Sequence, residues 1–304
     1  MSTSGGKKAV IAALGANVAI AVSKFVAWLF TGSSSMLAES VHSLADSANQ
    51  ALLLFGARQA KRKADDEHPF GFGRDRYFYS FVVALVLFAL GSVFALYEGV
   101  HKLQSRDHLE SPYIALGVLG VAVVLEGLSF RTAVREANEL RQGEGWVAFV
   151  RHSKSPELPV VLLEDLGALI GLLFAIVGVS LTIATGDSRC DAVATLCIGT
   201  LLGLIAVVLI FETKSLLIGE GATPAQVEAI RAALAAVPEV PRVIHLKTLH
   251  LGPDELLVAA KIEVDATKTF PEVAEIIDAA EGRVRAAVPI ARVIYLEPDV
   301  YRPA

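Results

Sequence analysis

Long apolar stretches separated by short polar breaks fill the first two-thirds of this chain. They fall at about residues 8–30, 36–60, 77–102, 112–131, 158–185 and 190–217. A helix of about 20 apolar residues crosses the hydrocarbon core of a bilayer, so the pattern predicts six transmembrane spans. Thr31-Gly-Ser-Ser-Ser and Ala184-Thr-Gly-Asp-Ser are long enough only for turns, which makes spans one and two, and five and six, tight hairpins. After Leu217 the pattern changes. Gly219-Glu-Gly-Ala-Thr-Pro breaks the run, and Thr223 (N-cap) with Pro224 (first helical position) opens a helix to about Val237. Val243–Leu251 and Leu256–Val264 are rich in branched residues and are joined by Gly252-Pro-Asp-Glu, a hairpin pattern. Pro271–Val288 reads as a second helix and Arg292–Leu296 as a last strand. The order αββαβ predicts one sheet covered by two helices, a ferredoxin-like α+β module. The expected organisation is therefore a membrane all-α six-helix domain over residues 1–218 and a ferredoxin-like domain over 219–304. The second is small for a free-standing core, so a partner copy is expected to help stabilise it.

Composition agrees. Of 304 residues 54% are hydrophobic and only 19% charged, with a mean hydropathy of +0.54; soluble domains carry about a quarter charged residues. Membrane lipid is the expected surrounding. The net charge of −5 gives no sign of a nucleic-acid partner. Cys190 and Cys197 share one apolar span without a C-x-x-C pattern, which argues against a disulfide framework and a thiolate cluster. The first apolar run lacks a small-residue cleavage pattern and reads as a retained span. Lys7, Lys8, Lys61, Arg62, Lys63, Arg131, Arg135, Arg141 and Lys214 fall on one side of the predicted spans, against Lys102, Arg106 and Arg189 on the other. Positive charge collects on the cytoplasmic side. Both termini are therefore expected there, in a multi-pass protein of an inner or plasma membrane.

Ionisable side chains inside a span are costly and by default mark an ion or proton pathway. The second span carries Glu39, His42 and Asp46, with His42 and Asp46 four apart on one helical face. The fifth carries Glu164 and Asp165. At about 1.5 Å per residue, Asp165 lies roughly 10 Å in from the cytoplasmic end, and the second-span pair lies a comparable distance in from the other end. The four can meet near mid-depth. Imidazole with carboxylate suits a borderline cation such as Zn²⁺, usually held by four ligands. The competing reading is an interhelical hydrogen-bond lock of His42 and Asp46 with Glu164. Two carboxylates and a histidine from two spans favour the ion site, because buried acids need a cation or protons. Asn17 in the first span is either a neighbour of the site or simple helix glue, and Glu126 in the fourth is expected to pair with Arg131.

Gly15-Ala-Asn17, Lys24-Phe25, the run Thr31 to Gln50 containing His42-Ser-Leu-Ala-Asp46, and His68-Pro-Phe-Gly-Phe-Gly-Arg resemble the cation diffusion facilitator family. Val161-Leu-Leu-Glu-Asp resembles the branch of that family typified by the ninth human zinc transporter. The resemblance implies a homodimeric exporter of Zn²⁺, or of Mn²⁺, Fe²⁺ or Co²⁺, that exchanges the metal for H⁺. It implies metal ligands at His42, Asp46 and Asp165. The family's other fifth-span ligand falls on Val161, which binds no metal, and Glu164 is the candidate to compensate. A site richer in carboxylate shifts preference toward harder ions such as Mn²⁺. The family's loop site matches at Asp65 and His68, but Phe72 stands at its second histidine, so the loop is expected to be mainly structural. In the C-terminal module His245 matches a ligand position, while Lys261 and Tyr295 stand where histidines are common, with Glu297 beside them. Dimerisation is the expected role of that module.

Three other functions compete with this one. An intramembrane metalloprotease lacks its H-E-x-x-H pattern here, so no enzyme is expected. A channel would conduct without proton coupling. A transport-inactive partner subunit is consistent with the missing ligand at Val161.

Overall fold

The computed structural model describes residues 7–31, 34–105, 112–141 and 143–302. Its helices are α1 (Lys7–Thr31), α2 (Ser34–Gln59), α3 (Asp75–Val86), which passes through a π-helical stretch (Leu87–Val93) into α4 (Phe94–Ser105), α5 (Pro112–Arg141), the short α6 (Trp146–His152), α7 (Glu157–Thr185) and α8 (Arg189–Ile218). The C-terminal part adds α9 (Pro224–Ala235), β1 (Val243–Gly252), β2 (Glu255–Glu263), α10 (Phe270–Ala287) and β3 (Ala291–Asp299). The chain divides into two compact units, one of residues 1–58 with 76–214 and one of 59–75 with 215–304.

Among the described residues five helical stretches are long and apolar enough to cross a membrane: α1, α3 with α4, α5, α7 and α8. The stretch predicted as the second span forms α2, 26 residues long, but is not one of the five. Its sequence explains this, since Glu39, His42, Asp46, Asn49 and Gln50 interrupt its apolar face. The third predicted span is interrupted as well. The π-helical stretch fits one extra residue into a turn, and Ser92 within it donates to the Gly199 carbonyl of α8 at 2.7 Å.

Apolar attraction does not drive helix association inside lipid, so close packing at small residues has to. Ala9 and Ala13 of α1 and Ala133 and Ala137 of α5 are fully buried, with Val160 and Val161 of α7 in the same core. The Ala9 N–H, one of the orphan donors of a helix start, is met by Glu136 Oε2 of α5 at 2.7 Å. Between α4 and α8 the fit is reciprocal. A Cβ on Gly99 would stand 2.8 Å from the Leu196 side chain, and one on Gly199 2.9 Å from the Leu96 backbone nitrogen. At the start of α7, Arg76 binds both carboxylate oxygens of Glu157, a buried two-pronged ion pair.

In the second unit β1 pairs antiparallel with β2, and β2 parallel with β3, in the order β1-β2-β3. Along β2 the side chains alternate, and Leu256, Val258, Ala260 and Ile262 are buried with Ile230 and Leu234 of α9 and Ile276, Ala280 and Val284 of α10. That is the expected sheet with two helices on one face. Thr223 caps α9 as the sequence suggests: its hydroxyl accepts from the Gln226 N–H, and Gln226 accepts in return from the Thr223 N–H.

Gly199→Ala tests the α4–α8 contact. Alanine gains about 1 kcal/mol of helix propensity, yet the clash with the Leu96 backbone is expected to lower stability by about 1–3 kcal/mol. Gly120→Ala on α5, where a Cβ meets nothing within 4 Å, serves as the control and should be neutral or stabilising. Thermal melting of the detergent-solubilised protein reads both, and equal melting of the two variants would contradict the packing described.

Candidate metal centre

The polar residues of the helical unit converge where α1, α2, α5 and α7 meet. Glu164 of α7 is buried, and both its oxygens are engaged by α2: Asn49 Nδ2 donates to Oε1 at 3.3 Å and Gln50 Nε2 to Oε2 at 2.9 Å. Gln50, 0% exposed, accepts in turn from Asn17 Nδ2 of α1 at 3.2 Å. The chain Asn17–Gln50–Glu164–Asn49 thus ties three helices together. Asp165, the next residue on α7, is 2% exposed and accepts from Ser129 Oγ of α5 at 2.6 Å. Neighbours on a helix point about 100° apart, which is why Glu164 faces α2 while Asp165 faces α5.

Asp46, half-buried, precedes Asn49 and Gln50 by three and four residues, so it shares the α2 face that grips α7. Glu126 and Glu164 each lie within electrostatic range of Asp46, of Asp165 and of one another, and Lys24 is the cation nearest in effect to Glu126. Lys24 also donates to Ser43 of α2 at 2.9 Å, and Ser40 donates to the Ala21 carbonyl at 2.9 Å, so α1 fixes this part of α2. His42 is on α2, but its side chain, like that of Glu39, lies outside the described residues. Among the described residues no three His, Cys, Asp or Glu side chains are gathered closely enough to hold a metal ion. Val161, where the resemblance implies the family's other fifth-span ligand, is fully buried in the apolar core with Leu158 and Leu162.

Sequence reasoning missed Glu126. It is expected above to pair with Arg131, but Arg131 is exposed, Glu126 is 6% exposed, and no ion pair joins them among the described residues. Five residues of α-helix turn the chain about 140° past a full circle, so the two side chains diverge. The signal available was the three-residue spacing of Glu126 and Ser129, which puts both on one face.

The remaining candidates lie in the second unit. Asp65 accepts from the His68 backbone N–H at 2.7 Å and lies 3.1 Å from its Nδ1. That N–H, reinforced by the ring, holds the Asp65 carboxyl below the ordinary carboxylate range. His68 lies against Phe72 at 4.4 Å between ring centres, and Arg62 lies over the Phe72 ring at 4.1 Å. Gly73 approaches β1 so closely that a Cβ on it would stand 2.6 Å from the Leu251 carbonyl oxygen. These contacts are those of a folded turn. His245 is exposed on β1 opposite Lys261 of β2. Lys261 binds Glu297 at 2.8 Å and Asp299 at 3.0 Å, and those hydrogen bonds hold its pKa above the ordinary value.

A bundle of apolar helices crossed by buried acids, with a small α/β unit after it in the chain, is the make-up of a multi-pass membrane protein. The chain belongs to the cation efflux family: the family's transmembrane domain matches residues 10–218, and its cytoplasmic domain matches residues 222–299. The family is one of transport proteins rather than enzymes. The chain is 34% identical over 267 residues to the proton-coupled zinc antiporter SLC30A9, mitochondrial, of Xenopus laevis, covering 87% of this chain and 48% of that protein. The mouse protein of the same name is 32% identical over 263 residues, covering 86% of this chain and 46% of that one. The magnetosome protein MamB of Paramagnetospirillum magneticum is 24% identical over 282 residues, 92% of this chain and 90% of its own. The chain therefore spans about half the length of the antiporters it matches.

Gln50→Leu tests the network. It leaves Glu164 Oε2 and Asn17 Nδ2 without these partners, and a loss of about 1–3 kcal/mol is expected. Gln50→Leu combined with Glu164→Leu should recover part of it, because removing both partners is gentler than orphaning one. Equal melting of wild type and Gln50→Leu would show that the network carries no stability.

Proposed function

We propose that this chain exports a divalent cation, Zn²⁺ before Mn²⁺, Fe²⁺ or Co²⁺, in exchange for protons. In this reading the site is centred on His42, Asp46 and Asp165. The observation that carries it is the pair of hydrogen bonds from Asn49 and Gln50 to Glu164, which fasten the α2 face bearing Asp46 to the stretch of α7 bearing Asp165. The names of the zinc antiporters at 32% and 34% identity support both the metal and the counter-ion. Six spans are proposed, with α2 the sixth and least apolar, shielded by its polar contacts to α1 and α7. Residues 1–218 form the transport domain and 219–304 a ferredoxin-like domain that joins two copies into a homodimer, with both termini on the cytoplasmic side.

In the empty site, protons sit on His42 and on at least one carboxylate. Metal ligands must be deprotonated, so an arriving cation displaces protons, and His42 has the pKa range to carry one near neutral pH. The cation itself draws the helices' ligands together. Opening to the other side releases it, and protons reload the site. Glu164 keeps α2 and α7 in register. As a second reading, the donor set favours Mn²⁺ or Fe²⁺: the apolar burial of Val161 leaves a site with one imidazole and otherwise oxygen.

The test is uptake of Zn²⁺ and Mn²⁺ into proteoliposomes with an internal metal-sensitive dye and an imposed pH gradient. Uptake should rise with the gradient and collapse in Asp46→Ala and in Asp165→Asn. Transport indifferent to the gradient would sink the antiport, and full activity in Asp46→Ala would sink the site.

A further inference from the structure

Glu126 has no role in the reading above, yet it holds a costly position for a carboxylate. It is 94% buried by its 6% exposure, and it stands on α5, one of the helices apolar enough to span the membrane. Among the described residues it forms no hydrogen bond or ion pair. A buried carboxylate without a partner is among the most expensive groups a protein can hold, unless a cation or proton answers it. Its neighbours say which side it addresses. Ser129, one turn further along the same face of α5, donates to Asp165 at 2.6 Å, and the charges acting on Glu126 are those of Asp165, Asp46 and Lys24. The other buried acids here have protein donors. Glu164 has Asn49 and Gln50, Asp165 has Ser129, and Glu136 has the Ala9 N–H.

We infer that Glu126 of α5 is a direct ligand of the transported divalent cation, supplying from a third helix the donor that Val161 does not. This inference rests on the site proposed above. It makes the binding set one imidazole and three carboxylates, His42 and Asp46 from α2, Glu126 from α5 and Asp165 from α7, with the arriving cation drawing Asp46, Glu126 and Asp165 together from the more separated positions they hold here, while Glu164 stays committed to the α2 amides. Ser129 is then a positioning residue that aims Asp165 toward the same space. The four-fold set suits Zn²⁺ in number and, being oxygen-rich, also accepts Mn²⁺.

The experiment measures equilibrium binding of Zn²⁺, Cd²⁺ and Mn²⁺ to the full-length protein in detergent, with thermal melting of the metal-free form. Glu126→Gln keeps shape and removes the charge; it should weaken Zn²⁺ binding at least as much as losing an outer-shell partner does, about 10–100-fold. Its metal-free melting temperature should stay equal or rise, because an unanswered buried acid has gone. Glu126→Cys should favour Cd²⁺ over Mn²⁺ by about tenfold or more relative to wild type, since a thiolate prefers the softer ion; a merely structural residue would not shift that ratio. If Asp46→Ala and Asp165→Asn bind metal like wild type, the site proposed above fails. If those two lose binding while Glu126→Gln keeps wild-type affinity, the site stands and the assignment of Glu126 is overturned. A Glu126→Gln protein that does not fold would overturn it as well, because that result means the carboxylate is a structural partner.

Discussion

Inside a hydrocarbon layer every polar group has to be answered by the protein itself, and the carboxylate of Glu164 is where this chain meets that demand most fully. Two amides from α2 take its two oxygens, and one of those amides is held by Asn17 of α1. The consequences spread outward. The grip sets the rotation of α2, and the rotation sets which way Asp46 faces. Asp165, next along α7, is turned by helix geometry toward α5, where Ser129 receives it. Without Glu164, α2 would keep its hydrogen bonds to α1 but lose this grip on α7, and apolar attraction between helices could not replace it in lipid.

Elsewhere the bundle is joined by a different means. The α4–α8 contact is a matter of missing side chains, Gly99 receiving Leu196 and Gly199 receiving Leu96, with Ser92 of the π-helical stretch bonded to the Gly199 carbonyl. Such an interface depends on shape, whereas the α1–α2–α7 interface depends on hydrogen-bond partners. The two respond differently to mutation. Adding a methyl group breaks the first, and removing an amide breaks the second. The polar interface is also the one that surrounds the acids, so the groups that fix the helices and the groups left over for chemistry are drawn from the same small set.

Much of this was legible in the sequence. The branched residues of Val243–Leu251 and Leu256–Val264 and the Gly252-Pro-Asp-Glu turn between them give the β1–β2 hairpin. The α9 cap follows from Thr223 and Pro224, and the structure adds Gln226 to it. The role of Glu164 was only half legible. Its cost in a span is plain, but whether amides or a cation answer it depends on how far α2 is shifted and rotated against α7, which no local pattern encodes. Glu126 was misread for a related reason: proximity in sequence to Arg131 suggested a pair that helix geometry points apart. The π-helical stretch had no signal that distinguishes it from an ordinary helix, and the contact that accompanies it, Ser92 with the Gly199 carbonyl, joins residues 107 positions apart.

In the second unit fixed charge occupies the surface around His245. Lys261 puts an ammonium between Glu297 and Asp299. A bound cation would need to displace that charge and then share the carboxylates with a lysine repelling it at close range. Lys261 already supplies from within the protein what a metal would supply from outside. His245, on the strand opposite, is left exposed beside a positive charge, a poor setting for a second cation. The loop of residues 59–75 follows the same logic. Phe72 lies against His68 and under Arg62, and Gly73 meets Gly252 so closely that a Cβ on the latter would stand 2.9 Å from the Gly73 Cα. Packing and fixed charge thus join the parts of both regions, whereas between the helices the buried acids Glu164 and Asp165 are met by amides and a hydroxyl.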